Sequence, residues 1–244
     1  MKIDLYNYTG SKNGAGVYQK IISAMPEHKI FIELFAGSMA ITRRKRPAQI
    51  NYGIDANAGT VAALINDLYG TIENELFIKN DEALNFLNSA RFRAFPPNDV
   101  LIYADPPYLQ ETRRSKKPLY ENEFETIEQH TALIERLRAL DCRVMLSGYR
   151  SDLYDRLLRD WRTLDIPTST RGGASIETVW MNYPEPLRLH DSRYIGKNFT
   201  DRQRIKRKAE RQVKKLMNLP TFERQLIFEE IAKLEKQYYE KAEN

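Results

Sequence analysis

Four short apolar runs set the frame for this chain: residues 29–35 (KIFIELF), 50–55 (INYGID), 100–104 (VLIYA) and 143–149 (RVMLSGY). Runs of this length, rich in aliphatic and aromatic residues and bounded by acids, glycine or proline, read as strands buried on both faces. Between them the spacing becomes helical, over residues 17–25, 58–69, 81–87 and 127–140; in the last of these Ile127, Leu133, Ile134, Leu137 and Leu140 share a face. Strand and helix in alternation imply a largely parallel sheet covered on both sides. Two later runs, WRTLDIPTS and SIETVWMNY, flank Arg171-Gly172-Gly173-Ala174 and read as an antiparallel hairpin closing the sheet. The expected fold is therefore α/β and Rossmann-like, mostly parallel with a terminal antiparallel hairpin.

In such sheets ligands bind outside the carboxyl ends of the strands. Phe35, Asp55 and Asp105 stand at three of those ends, so words far apart in sequence should meet in one crevice. Two familiar crevice chemistries are absent: FAGSMA lacks the glycines of G-x-G-x-x-G, and no G-x-x-x-x-G-K-[ST] occurs. LSGY is not a G-x-S-x-G nucleophile elbow. Cys142 is the only cysteine, which excludes an internal disulfide and a thiolate metal cluster, and His28, His130 and His190 are too scattered to suggest a metal site. No run approaches the roughly 18 apolar residues of a membrane span, and residues 1–12 carry no apolar leader core. No membrane association is expected, and a reducing compartment is, the cytoplasm of a bacterial or phage-infected cell.

The word Asp105-Pro106-Pro107-Tyr108 follows the strand VLIYA directly. Its plain reading is a turn, since proline cannot donate to a sheet ladder. Its chemical reading is a pair of fixed acceptors, the Asp105 carboxylate and the Pro106 carbonyl, on a ring-stiffened segment beside an aromatic face. Two acceptors aimed at the N–H bonds of an exocyclic amine would draw its delocalised lone pair back onto nitrogen and stabilise the positive charge that grows there on attack.

Tyr8-Thr9-Gly10-Ser11-Lys12, Glu33-Leu34-Phe35-Ala36-Gly37-Ser38, Asp55-Ala56-Asn57, Asp105-Pro106-Pro107-Tyr108, Ser147-Gly148-Tyr149 and ETVWMNYPEP occur in this order. The ordered set resembles the S-adenosylmethionine (SAM)-dependent DNA adenine-N6 methyltransferases of the Dam-like, or D12, class, over roughly residues 6–186. The resemblance implies a Rossmann-like methyltransferase sheet, SAM as cofactor, and site-specific transfer of its methyl group to the N6 amine of an adenine flipped out of DNA. It implies a catalytic role for Asp105, Pro106 and Tyr108, and a cofactor-binding role for Tyr8, Lys12, Glu33, Phe35, Gly37, Asp55, Asp81 and Asp105. Lys12 would meet the methionine carboxylate, Asp55 the ribose hydroxyls and Asp81 the cofactor's adenine amine. The chain departs from the pattern in two ways. Met39 fills the slot of the second glycine of F-x-G-x-G, and Leu34 stands where many relatives have proline. Only 23 residues separate Asp81 from Asp105, too few for the DNA-recognition domain that Dam-like enzymes carry there. Methylation of structured RNA and a catalytically silent nucleic-acid-binding relative stay open as alternatives.

Charge is unevenly placed. Residues 1–190 hold 24 Lys and Arg against 24 Asp and Glu, whereas residues 191–218 hold 10 against 3. A basic segment of this kind suits a polyanion, here DNA. Two segments are candidates for the contact: the loop after the catalytic word, with Arg113, Arg114, Lys116 and Lys117, and the tail, with Arg202, Arg204, Lys206 and Arg207. In the tail Ile205, Ala209, Val213, Leu216 and Met217, then Leu226, Ile227, Ile231 and Leu234, recur at helical spacing. They suggest a helical hairpin whose apolar stripe packs while its first helix faces phosphate, or one used for dimerisation. The expected division is a catalytic domain of residues 1–189 and a basic helical tail of residues 190–244. A cognate restriction endonuclease is an open partner, and the sequence sets no oligomeric state.

Overall fold

A computed structural model describes residues 5, 11–14, 16–68, 70–109, 124, 126–170 and 173–243. Along the chain it contains α1 (Val17–Ile22), β1 (Ile30–Leu34), α2 (Ala40–Arg44), β2 (Ile50–Asp55), α3 (Ala58–Leu68), β3 (Glu75–Asn80), α4 (Ala83–Asn88), α5 (Ala90–Arg93) and β4 (Val100–Ala104). After these come α6 (Ile127–Arg138), β5 (Arg143–Gly148), α7 (Asp152–Leu157), β6 (Arg162–Thr170), β7 (Gly173–Met181), α8 (Phe199–Met217) and α9 (Thr221–Glu243). The strands form one sheet in the order β3-β2-β1-β4-β5-β7-β6. All neighbours are parallel except β7, which runs antiparallel to both β5 and β6.

Every residue of β1 and β4 is buried, as expected of central parallel strands covered on both faces. Ile32, Leu34, Ile54, Ile102, Val144 and Leu146 point to one face, against Phe86 of α4, Leu133, Ile134 and Leu137 of α6 and Leu153 of α7. Phe31, Leu101, Tyr103, Met145 and Val179 point to the other, against Val17, Ile21 and Ile22 of α1 and Ile41 of α2. β3 was not among the sequence expectations. It is an edge strand whose residues are exposed or half-buried, so its sequence lacks the continuous apolar signature of its neighbours.

Residues 190–194, at the start of the expected tail, bond back to the body. His190 donates its backbone N–H to the Met25 carbonyl, and its ring stacks on His28 with centroids 3.8 Å apart. Asp191 accepts from the Arg46 amide at 2.8 Å, and the Tyr194 hydroxyl donates to the Arg44 carbonyl at 3.1 Å. The helices of the tail begin only at Phe199. Their apolar stripe is not packed as expected: Val213, Met217, Leu226, Ile231 and Leu234 are exposed by 47–64%. Periodicity marks which residues share a face but not what covers it, and the described residues bring no surface over these. Among the described residues no helix is long and apolar enough to cross a membrane.

Candidate active site

The carboxyl edge of the sheet brings the expected words together. The Asp105 amide donates to the Leu34 carbonyl, the Ala36 amide to Ile54 and the Asp81 amide to Asp55, so the ends of β4, β1, β2 and β3 are linked in a row. Phe35, Gly37, Asp55, Asp81 and Asp105 therefore lie along one edge.

The turn after β1 is held in an unusual backbone shape. Phe35, Gly37 and Met39 all have positive φ, at 56°, 49° and 52°. A non-glycine residue in that region costs about 1–3 kcal/mol unless its surroundings enforce it. Asp55 does part of the enforcing, its two carboxylate oxygens accepting from the Gly37 amide at 2.8 Å and the Asn57 amide at 2.9 Å. Burial raises the Asp55 carboxyl above its ordinary range, and these two bonds partly offset the rise. Met39 supplies the rest. Its side chain is fully buried and lies against Gly53 of β2, where a Cβ would sit 2.6 Å from the sulfur. The residue that departs from the glycine-rich pattern thus keeps the left-handed turn and anchors it from below, leaving the outer side of the loop free of its bulk.

Asp105 enters a cluster that its sequence neighbours do not announce. Lys12 is 6% exposed, and its Nζ lies 2.8 Å from Asp105 Oδ2, 2.8 Å from the Tyr108 hydroxyl and 3.0 Å from Glu177 Oε1. Burial disfavours the Lys12 ammonium, but Asp105 and then Glu177 outweigh it and hold its pKa well above the ordinary value. Burial pushes the Asp105 carboxyl up to about 6; Lys12 opposes the rise and Glu177 adds to it. One ammonium between two carboxylates leaves the cluster with an excess negative charge, and Asp105 Oδ1 is buried with no hydrogen-bond partner among the described residues. A buried acceptor left open is rare, because it costs about 1–3 kcal/mol. Here it lies in the Asp105-Pro106-Pro107-Tyr108 word, next to buried Pro106.

Tyr108 is half-buried, and its ring meets that of Tyr149 from the Ser147-Gly148-Tyr149 word at 4.5 Å between centroids. Beneath them the Tyr103 hydroxyl bonds Ser147 Oγ at 2.9 Å. Phe35 packs edge-on to Phe124, 5.0 Å away.

Three of the expected cofactor residues have partners within the protein. Lys12 is occupied by Asp105, Tyr108 and Glu177. Glu33 faces α2, where its Oε2 accepts from the Thr42 amide at 2.9 Å and the Thr42 hydroxyl at 2.5 Å; burial pushes its carboxyl up to about 7. Its observed bonds stitch β1 to α2. Among the described residues Asp81 accepts from the adjacent Glu82 amide, at 2.9 Å, and it stands half-buried at the end of β3. Tyr8, Arg113, Arg114, Lys116 and Lys117 lie outside the described residues. In α8, Arg204 is tied to Asp201 at 2.8 Å and Lys206 lies 3.9 Å from Glu210, while Arg207 is exposed and Arg202 half-buried. Glu177 was missed as a site residue, yet it had a signal. Along β7 it shares the alternation of Val179 and Met181, and an acid in phase with a buried apolar face needs a reason to be there.

No protein-family model matches the chain, and no curated protein matches it in sequence. Solved structures resemble its fold. Precorrin 8w decarboxylase from Methanobacterium thermoautotrophicum is 10% identical over 74% of this chain and 96% of its own, with a TM-score of 0.46. A SAM-dependent methyltransferase from Agrobacterium tumefaciens is 12% identical over 68% of this chain and 60% of its own, at 0.44. A dimethyladenosine transferase from Plasmodium falciparum is 16% identical over 69% of this chain and 62% of its own, at 0.45. The chain spans less than two thirds of the latter two. These are likenesses of fold.

Proposed function

We propose that this chain is a SAM-dependent methyltransferase that modifies the N6 amine of adenine in DNA. The observation that carries the reading is Asp105 Oδ1, a buried acceptor without a partner among the described residues, at the carboxyl edge shared by Phe35, Gly37 and Asp55. The residues fit the cofactor. The Gly37 turn offers close backbone approach, Asp55 retains lone pairs for ribose hydroxyls at the end of β2, and the excess negative charge around Asp105 suits a sulfonium.

When bound, SAM supplies an electrophilic methyl group. The chain's own residues do the rest. Asp105 Oδ1 and the Pro106 carbonyl receive the two N–H bonds of the adenine amine and turn its lone pair outward. Lys12, by pairing with Asp105 Oδ2, keeps the carboxylate ionised and fixes which oxygen faces the substrate. The positive charge that methyl transfer would place on the amine nitrogen would lie beside Asp105 and Glu177, which share the one Lys12 ammonium. The proton then shed by nitrogen passes to Asp105, whose carboxyl at about 6 can hold it and release it to water. Removing one fixed donor from an oxyanion hole costs about 2.7–4 kcal/mol, which sets the scale for a preorganised group facing growing charge, and holding the reactants in line contributes about 7–11 kcal/mol. Tyr108 and Tyr149 offer ring faces to the extruded base, with stacking worth about 1–3 kcal/mol per base.

The DNA assignment rests on the ordered sequence words and the basic tail. The 23 residues between Asp81 and Asp105 form α4, α5 and β4 and the turns around them, so no recognition domain interrupts the body there. The test is mass spectrometry of nucleosides after incubation with methyl-labelled SAM and either DNA or structured RNA. Label in N6-methyldeoxyadenosine is expected. Label confined to RNA adenosine would move the reading to an RNA enzyme, and no label in either, with nucleic acid still bound, would leave a binding protein.

A further inference from the structure

The hairpin of β6 and β7 overhangs the catalytic edge. β5 ends at Gly148, which pairs with Thr178, but β7 begins at Gly173, five residues earlier. At about 3.4 Å per residue the hairpin projects roughly 17 Å beyond the end of β5. Its strands alternate, and the two faces do different things. Glu177 turns toward Lys12 and the catalytic cluster. Its neighbours Ile176 and Thr178 turn the other way and, with Tyr149, Arg150, Ser151, Asp152 and Asp165, line a hollow of about 620 Å³. Tyr149 links the two places, since it borders the hollow while its ring lies against Tyr108.

The lining says what kind of guest fits. Arg150 is already paired with Asp155 at 3.0 Å and with Asp165 at 3.4 Å, and Asp152 adds a further carboxylate, so the hollow does not suit phosphate. It offers instead an aromatic ring, an apolar wall in Ile176, which is 58% exposed, and an acceptor. Asp165 takes the Thr178 hydroxyl at 2.7 Å and Arg150 at 3.4 Å, both on Oδ1, which among the described residues leaves Oδ2 for a guest's N–H group. A flat, uncharged molecule with amino groups matches this chemistry, and the place is beside the ring proposed to hold the target adenine.

We infer that this hollow receives the major-groove edge of a base flanking the target adenine, and that Asp165 selects bases that donate from that edge, cytosine through N4 and adenine through N6, over thymine and guanine, which present carbonyls there. The inference rests on the reading of the site as an adenine methyltransferase acting on DNA. It also gives a chain without an inserted recognition domain a way to read sequence next to the modified base.

The test is methylation of a duplex library randomised at the positions flanking a central adenine, read by sequencing that detects N6-methyladenine. The wild-type chain should favour cytosine and adenine over thymine and guanine at one flanking position, on the order of tenfold for a single base contact. Asp165→Asn, whose amide both accepts and donates, should reduce that preference to within twofold by bringing methylation of the favoured duplexes down toward that of the disfavoured ones, with methylated adenine still formed in all of them. Ile176→Ala, at an exposed position with no folding role, should weaken the same preference and no other. Methylation spread evenly over contexts by the wild-type chain, or a preference unchanged in Asp165→Asn, overturns the inference and leaves the adenine reading standing. Absence of methylated adenine in every duplex overturns both.

Discussion

Replacing Glu177 by glutamine should lower the acid limit of methyl transfer by about two pH units. Glu177 Oε1 and Asp105 Oδ2 both touch Lys12 Nζ, at 3.0 and 2.8 Å, so the two carboxylate oxygens are at most about 5.8 Å apart. Two like charges at that distance repel by about 3 kcal/mol at an effective dielectric constant near 20, which is about two pKa units. The sign follows from the role of Asp105: its carboxylate must be ionised to accept from the amine, so activity is lost as pH falls through its pKa. The wild-type chain should reach half its plateau rate at about pH 6. Glu177→Gln keeps the size of the side chain, removes the repulsion, and should bring that midpoint to about 4. The assay is single-turnover transfer from tritium-labelled SAM to DNA across pH 4–8.5, with circular dichroism at each pH marking where the fold is intact. A midpoint that stays within half a unit of wild type, or moves upward, would refute the assignment of Glu177 as a charge that adds to the rise burial imposes on Asp105.

Lys12→Met should leave Asp105 and Glu177 buried without their cation; denaturant titration should show a loss of about 3–5 kcal/mol, and the acid limit should rise above the wild-type value. Equal stability would argue against the buried triad. Gly53→Ala would place a methyl group 2.6 Å from the Met39 sulfur and should cost about 1–3 kcal/mol. Combined with Met39→Ala the cost should be less than the sum of the two single changes, and strict additivity would refute the packing of Met39 on Gly53. Removing residues 198–244 keeps the Asp191 and Tyr194 hydrogen bonds and takes away the basic residues of α8. DNA affinity should fall, and its dependence on salt should flatten by about 0.9 in log–log slope for each phosphate that the shortened chain no longer neutralises. An unchanged slope would remove the tail from the DNA interface.

How far the sequence led differs from element to element, for physical reasons. β1, β2, β4 and β5 were legible because a parallel strand covered on both faces must be apolar almost throughout, and the helices between them because one face must be. β3 was not, since an edge strand with half its side chains in water is free to carry Glu75, Lys79 and Asn80. The convergence of Phe35, Asp55 and Asp105 followed from topology alone. The partner of Lys12 did not, because spacing shows that a cation is near the site without showing which anion it will meet. Met39 looked like a defect in a glycine-rich turn, and only the folded chain reveals that a left-handed backbone and a slot over Gly53 let a large residue serve there.

The most direct measurement is the transfer rate of Asp105→Ala on a DNA substrate, taken beside its affinity for SAM. The account predicts a folded protein that still binds the cofactor and yields no N6-methyldeoxyadenosine above background. A rate within tenfold of wild type would contradict it, since the amine would then be activated by something other than the carboxylate at the end of β4.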